Sequence, residues 1–196
     1  MASLIEHLPW RGCQYGQLDG QKIAVVGYSH WLDAGDRDHP DVTRDVIECV
    51  MEDREWANIA FFRQIRDYFG YSTHRDFWPC VAFFNFLPDC VGDEAERYRH
   101  GTEQQIERGR ERFPRLLNEL KPAKVFVFTR RYWALRPHNL DDLDEGDLPE
   151  YARNFKKATC VGCPVFFLRH PQGARKAPMI ETVSLLLRAR PCAAIL

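Results

Sequence analysis

Apolar residues in this chain gather into short runs that end in small or polar residues, and four of those runs read as strands. They are Lys22–Val26, Val81–Asn85, Lys124–Thr129 and Val165–Arg169, rich in β-branched and aromatic side chains. Near-continuous apolarity, in place of alternation, is the pattern of strands covered on both faces, so a parallel sheet beneath helices is predicted. Between the runs the period becomes helical. Val42, Val46, Ile47 and Val50 recur at helical spacing in a stretch from about Thr43 to Phe69, with a break expected near Trp56 and a stop at Gly70. Thr102-x-x-Gln105 has the form of a capping box and opens a helix whose apolar face carries Ile106, Phe113, Leu116, Leu117 and Leu120. Lys121-Pro122 ends it. A last helix, from about Pro178 to Ala189, turns Ile180, Val183, Leu186 and Leu187 inward. Right-handed crossovers fold this β-α-β-α-β-α-β-α order into an α/β protein. The expectation is one domain over residues 1–196, a three-layer α/β/α sandwich around a central four-stranded, mainly parallel sheet.

Composition narrows the setting. A length of 196 residues with 45% hydrophobic and 28% charged residues suits one ordinary globular core. No apolar run approaches the ~18 residues of a membrane span, and MASLIEHLPW has no leader-like apolar stretch. The seven cysteines are odd in number and mostly sit in or beside apolar runs, as Cys49, Cys80, Cys90, Cys160 and Cys163 do. Reduced thiols in a cytoplasmic protein with no membrane partner are therefore expected. Cys160-x-x-Cys163 has metal-ligand spacing, but no second close pair accompanies it, so buried thiols and no metal are the reading. The net charge of −1 is segregated along the chain, with acidic residues in 33–45 and 141–150 and basic ones in 108–115, 130–136 and 169–176. Asp141–Glu150 reads as a solvated loop. Trp133, after Arg130-Arg131, reads equally as a core cap or a surface anchor.

Three strand tails carry the candidate chemistry. In a parallel sheet the carboxyl ends lie on one edge, so Lys22–Trp31 (KIAVVGYSHW), Cys80–Pro88 (CVAFFNFLP) and Pro164–Gly173 (PVFFLRHPQG) should line one pocket. Gly27 permits a sharp turn before Tyr28, Ser29, His30 and Trp31. Asn85, set among Phe83, Phe84 and Phe86, offers a donor and an acceptor that suit the Watson–Crick edge of a pyrimidine. His170 is held by Pro171, with Gly173 freeing the chain again, so it can donate to a developing anion without reorganising.

In this order, strand-Gly loop, strand-Asn, strand without motif and strand-His-Pro, the chain resembles the uracil-DNA glycosylase superfamily. The likeness runs from Lys22 to about Leu187 and takes in Lys121–Thr129 (KPAKVFVFT). Its first motif looks similar to that of bacterial members that carry Gly-Glu-Ser-His-Tyr there. The resemblance implies a monomeric, cofactor-free DNA glycosylase that flips a deaminated or modified pyrimidine from DNA and hydrolyses its N-glycosidic bond, leaving an abasic site. Hypermodified bases of phage DNA, hydroxymethylated or glucosylated, fall within that class. Gly27–Trp31 would hold the attacking water and one pocket wall, Asn85 would read the base, and His170 would stabilise the leaving group. Phe61, Phe62 and Phe84 are candidates to contact or stack on the base, although Phe61 and Phe62 depart from the usual spacing. Gln172, Gly173, Arg175 and Lys176 would enter the minor groove and hold phosphates, with Arg130 assisting.

One departure from the family pattern is chemical. Tyr28 and Ser29 stand where members carry a water-orienting acid or amide, and neither is a general base near neutral pH. His30, Asp33 or Asp36 would then supply that role. The alternative is a non-catalytic binder of modified bases or DNA that keeps the fold. An esterase using Ser29 and His170 has little support, since no G-x-S-x-G elbow is present.

Overall fold

The computed structural model describes residues 5–33, 35–92, 100–129, 140–141 and 155–189. The four predicted strands form, as β2 (Ile23–Gly27), β3 (Val81–Asn85), β4 (Lys124–Phe128) and β7 (Cys163–Leu168). They pair in parallel in the order β3-β2-β4-β7.

The sheet is wider than the predicted four strands. Among the described residues it has seven, in the order β1-β3-β2-β4-β7-β6-β5, because β1 (Trp10–Arg11), β5 (Leu140–Asp141) and β6 (Phe155–Cys160) add antiparallel margins. The sheet is therefore mixed. Asp141 lies in β5 rather than in a loop, and residues 142–150 and Trp133 fall outside the described residues. β6 and β7 form a hairpin whose two-residue turn, Val161-Gly162, has φ of 46° and 76°. Both angles lie in the left-handed region that such tight hairpins demand.

Helices cover both faces. One core joins Ile23, Val25, Val81, Phe83, Phe126 and Phe128 to apolar residues of α1 (Val42–Met51), α2 (Ala60–Tyr68) and α5 (Lys176–Arg188). The other joins Ala24, Val26, Ala82, Phe84, Val125 and Val127 to α4 (Glu103–Leu120). Successive strand residues alternate between the two cores, as a pleated strand requires, and both sides are buried. The break expected near Trp56 is a 3-10 turn, Glu55–Asn58. A short helix α3 (His74–Phe77), which the apolar pattern did not suggest, follows and is capped by Thr73. The capping box at Thr102 forms with both of its hydrogen bonds. The last helix begins at Lys176, two residues before Pro178, because a proline in the first turn gives up no helical hydrogen bond. No helix among the described residues is long and apolar enough to cross a membrane.

Candidate active site at the ends of the parallel strands

Gly27 and Asn85 are register partners at the ends of β2 and β3. The Asn85 side chain, and the Cα–H that replaces one at Gly27, face the side that carries α1 and α2, because Phe83 and Val25, two residues earlier, do so. The contact is close. A Cβ added at Gly27 would lie 2.2 Å from Asn85 Oδ1 and 3.1 Å from Phe61 Cζ, so only glycine admits this amide and this ring. Asn85 is 3% exposed, and its amide nitrogen is buried with no hydrogen-bond partner among the described residues. An unpaired buried donor costs about 1–3 kcal/mol, which marks it as held for something other than folding.

Phe61, in the first turn of α2, connects this pair to the third tail. Its ring centroid is 5.6 Å from that of His170, with the planes tilted by 36°. His170 follows β7 and is half-buried. Its Nδ1 accepts a hydrogen bond from the Gln172 backbone N–H at 3.3 Å, closing the 3-10 turn Pro171–Gly173. A neutral imidazole accepting at Nδ1 carries its proton on Nε2. The tails of β2, β3 and β7 thus meet around Phe61, with a buried amide donor on one side and an imidazole on the other.

A buried cation lies beneath Asn85. Arg112 of α4 is 3% exposed, and its Nη1 donates to the Asn85 carbonyl at 2.7 Å while Nη2 donates to the His7 carbonyl. Burial pushes its pKa down to about 10, with Glu6 opposing the shift, so it remains charged at neutral pH. The strand tails also run on side by side: Phe86 N–H donates to the Gly27 carbonyl at 3.1 Å and Leu87 N–H to that of Tyr28 at 2.9 Å. Sequence reasoning missed Arg112. Its signal was a basic residue four positions before Leu116, inside the apolar stripe of α4.

Several expected site residues lie elsewhere. Phe84 points to the opposite face, packs on Phe113 at 5.9 Å and sits under the Arg112 guanidinium, so it is core and cannot join Asn85 at this site. Strand alternation sends it away from its neighbour Asn85. Phe62 is 5% exposed and packs edge-on against Trp78 and Phe83; it too is core. His30 is buried against His7, with Nε2 3.1 Å from Thr43 Oγ1. Burial, reinforced by His7, pushes its pKa down to about 3, so it stays neutral and neither faces a ligand nor shuttles protons near pH 7. Tyr28 turns toward the α4 face, where its hydroxyl accepts from the Gly101 N–H at 3.0 Å. Trp31 stacks at 5.4 Å on Trp56, half-buried at the margin. Ser29 and Asp33 are half-buried in the same loop, and no hydrogen bond joins Ser29 to His170, which removes the geometric basis for an esterase pair. Asp36 lies on the exposed stretch after it.

Gln172, Gly173 and Arg175 are exposed on the turn beside His170. Lys176 is exposed as well, but its ammonium is paired at 2.7 Å with Asp67 of α2, which ties the start of α5 to the helix bearing Phe61. Arg130 lies outside the described residues. The basic run on α4 is used internally: Arg108 binds Asp89 and the Ile5 carbonyl, and Arg115 binds Glu6. Cys160 and Cys163 are buried opposite one another across the hairpin turn. No protein-family model matches the chain, and no curated protein matches it.

Proposed function

We propose that the protein is a monofunctional DNA glycosylase that takes a deaminated or modified pyrimidine out of the stack and hydrolyses its N-glycosidic bond. The observation that carries this reading is the buried amide nitrogen of Asn85, without a partner among the described residues, set against Gly27 and joined through Phe61 to His170. A pyrimidine laid on Phe61 would bring a ring carbonyl to that nitrogen, and the amide oxygen would take the neighbouring ring N–H. As the glycosidic bond breaks, its electron pair passes to the base. The Nε2–H of a neutral His170, fixed by the Gln172 contact, would donate to the oxygen gaining charge. Water then adds to the sugar's anomeric carbon, and the proton it releases neutralises the departing base anion, leaving a C1-hydroxyl sugar and the free base. The parallel order β3-β2-β4-β7, with helices on both faces, supports a uracil-DNA glycosylase-like sandwich for the core. Gln172, Gly173, Arg175 and Lys176 form the exposed turn that would meet the DNA backbone.

A second reading, a binder of modified bases without catalysis, is favoured by the first loop. The hydroxyl of Tyr28 is committed to Gly101 and His30 is buried and neutral, which leaves the water-orienting role to a carboxylate further along the loop, Asp33 or Asp36.

One experiment separates the two. Oligonucleotides and phage DNAs carrying uracil, hydroxymethylated or glucosylated pyrimidines are incubated with the protein and scored for alkali-labile breaks. A glycosylase cuts at least one of them, and Asn85→Ala and His170→Ala each lower abasic-site formation at least tenfold while keeping the wild-type melting profile. Binding to a modified duplex without any breaks would establish the binder. Breaks made equally well by both variants would refute the site.

A further inference from the structure

Behind the strand tails, three segments distant in sequence bring an imidazole, a carboxylate and a thiol together. His7 comes from the N-terminal stretch, Asp38 from the loop after β2 and Cys90 from the loop after β3. One ligand atom from each lies within 4.8 Å of the others. His7 Nε2 is 2.5 Å from Asp38 Oδ1 and 4.0 Å from Cys90 Sγ. Asp38 Oδ2 accepts from the Cys90 backbone N–H at 3.1 Å, and Gln105 Nε2 holds the Cys90 carbonyl at 2.9 Å.

We propose that His7, Asp38 and Cys90 form a binding site for a thiophilic divalent cation of the zinc class. His7 is 1% exposed, and its Nδ1 is buried without a partner among the described residues. Its other ring nitrogen, Nε2, points into the cluster, where it meets Asp38 Oδ1. The donor set is chemically apt: nitrogen, oxygen and sulfur are the usual zinc ligands, and three protein ligands leave a fourth position for water. Tetrahedral bonds of 2.0–2.3 Å set neighbouring donors about 3.5 Å apart. The His7–Asp38 contact would open by about 1 Å and the His7–Cys90 contact would close by about 0.5 Å, within reach of side-chain rotation. Charge agrees as well. A thiolate, a carboxylate and a neutral imidazole carry two negative charges, which a dication cancels; the Cys90 thiol proton is released to solvent, and the proton shared by His7 Nε2 and Asp38 passes to His7 Nδ1. A bound ion would pin the N-terminal segment to both loops that leave the candidate active site, independently of what that site does.

The test uses the full chain without a histidine tag, stripped with chelator and titrated with cobalt(II). One equivalent should bind, giving a near-ultraviolet thiolate-to-metal charge-transfer band and the intense visible bands of a four-coordinate site. Zinc(II) should displace it and raise the melting temperature. Cys90→Ser should abolish the charge-transfer band, and Asp38→Asn should weaken binding at least tenfold. Cys163→Ser, altering the Cys-x-x-Cys pair, should leave the band intact. A folded wild-type protein with no band, a band that survives Cys90→Ser, or a band lost in Cys163→Ser would each overturn the site.

Discussion

At the scale of single residues, the candidate site depends on a missing side chain. Gly27 gives Asn85 Oδ1 and the Phe61 ring the space that a methyl group would fill. Gly27→Ala should therefore turn the Asn85 amide away from Phe61. Overpacking of this kind typically costs about 1–3 kcal/mol, so the variant should fold with a lowered melting temperature. Base excision, or affinity for modified-base DNA, should fall at least tenfold. Wild-type activity in this variant would show that the amide position is unimportant. Asn85 and His170 were legible in the sequence because their meaning is local: a lone amide among aromatics, and an imidazole held by the next proline. Phe61 and Phe62 were not separable, since adjacent helical residues differ only in direction, and that depends on how α2 docks. His30 looked functional from its loop, yet the fold buries it against His7 and Thr43.

At the scale of elements, α4 shows how tertiary contact overrides propensity. Glycine inside a helix normally costs about 1 kcal/mol relative to alanine, so Gly109→Ala would stabilise an isolated helix. Here a Cβ at Gly109 would sit 2.8 Å from the Phe86 carbonyl oxygen and 2.7 Å from its ring. We expect Gly109→Ala to lower stability by about 1–3 kcal/mol, read from urea unfolding, because backbone as well as ring must move. A gain in stability would mean that the Phe86 segment yields easily. The position of α4 could be read from its capping box and apolar stripe, but its approach to Phe86 could not. The β6–β7 hairpin escaped sequence reading for a related reason. Its turn places Val161 at a φ of 46°, which a β-branched residue disfavours, so turn chemistry gave no cue.

For the whole molecule, buried histidines make stability depend on pH. His74 is 2% exposed; its Nδ1 accepts from Trp78 Nε1–H at 3.1 Å, and its Nε2 lies 3.1 Å from the Ala57 carbonyl oxygen. Burial lowers its pKa, and protonating Nδ1 would also break the Trp78 bond. Above the unfolded value of about 6.5 both states are neutral and no penalty arises. Below it the unfolded chain takes up a proton that the folded one resists, so stability falls by up to about 1.4 kcal/mol per pH unit for this group. Urea midpoints measured from pH 7.5 to 5 should show this decline, and His74→Gln should make it shallower. Parallel slopes in the two proteins would assign the acid sensitivity to other groups.

The chain's own pattern established the four parallel strands, the main helices and the tails that carry Gly27, Asn85 and His170. Each of those follows from apolar periodicity and short-range backbone chemistry. The margins of the sheet, the facing of Phe84 and Phe62, the guanidinium of Arg112 under Asn85 and the His7–Asp38–Cys90 cluster arose only on folding. They rest on contacts between residues far apart in the chain, and such contacts are selected by packing and by the pairing of buried polar groups, which local pattern does not encode.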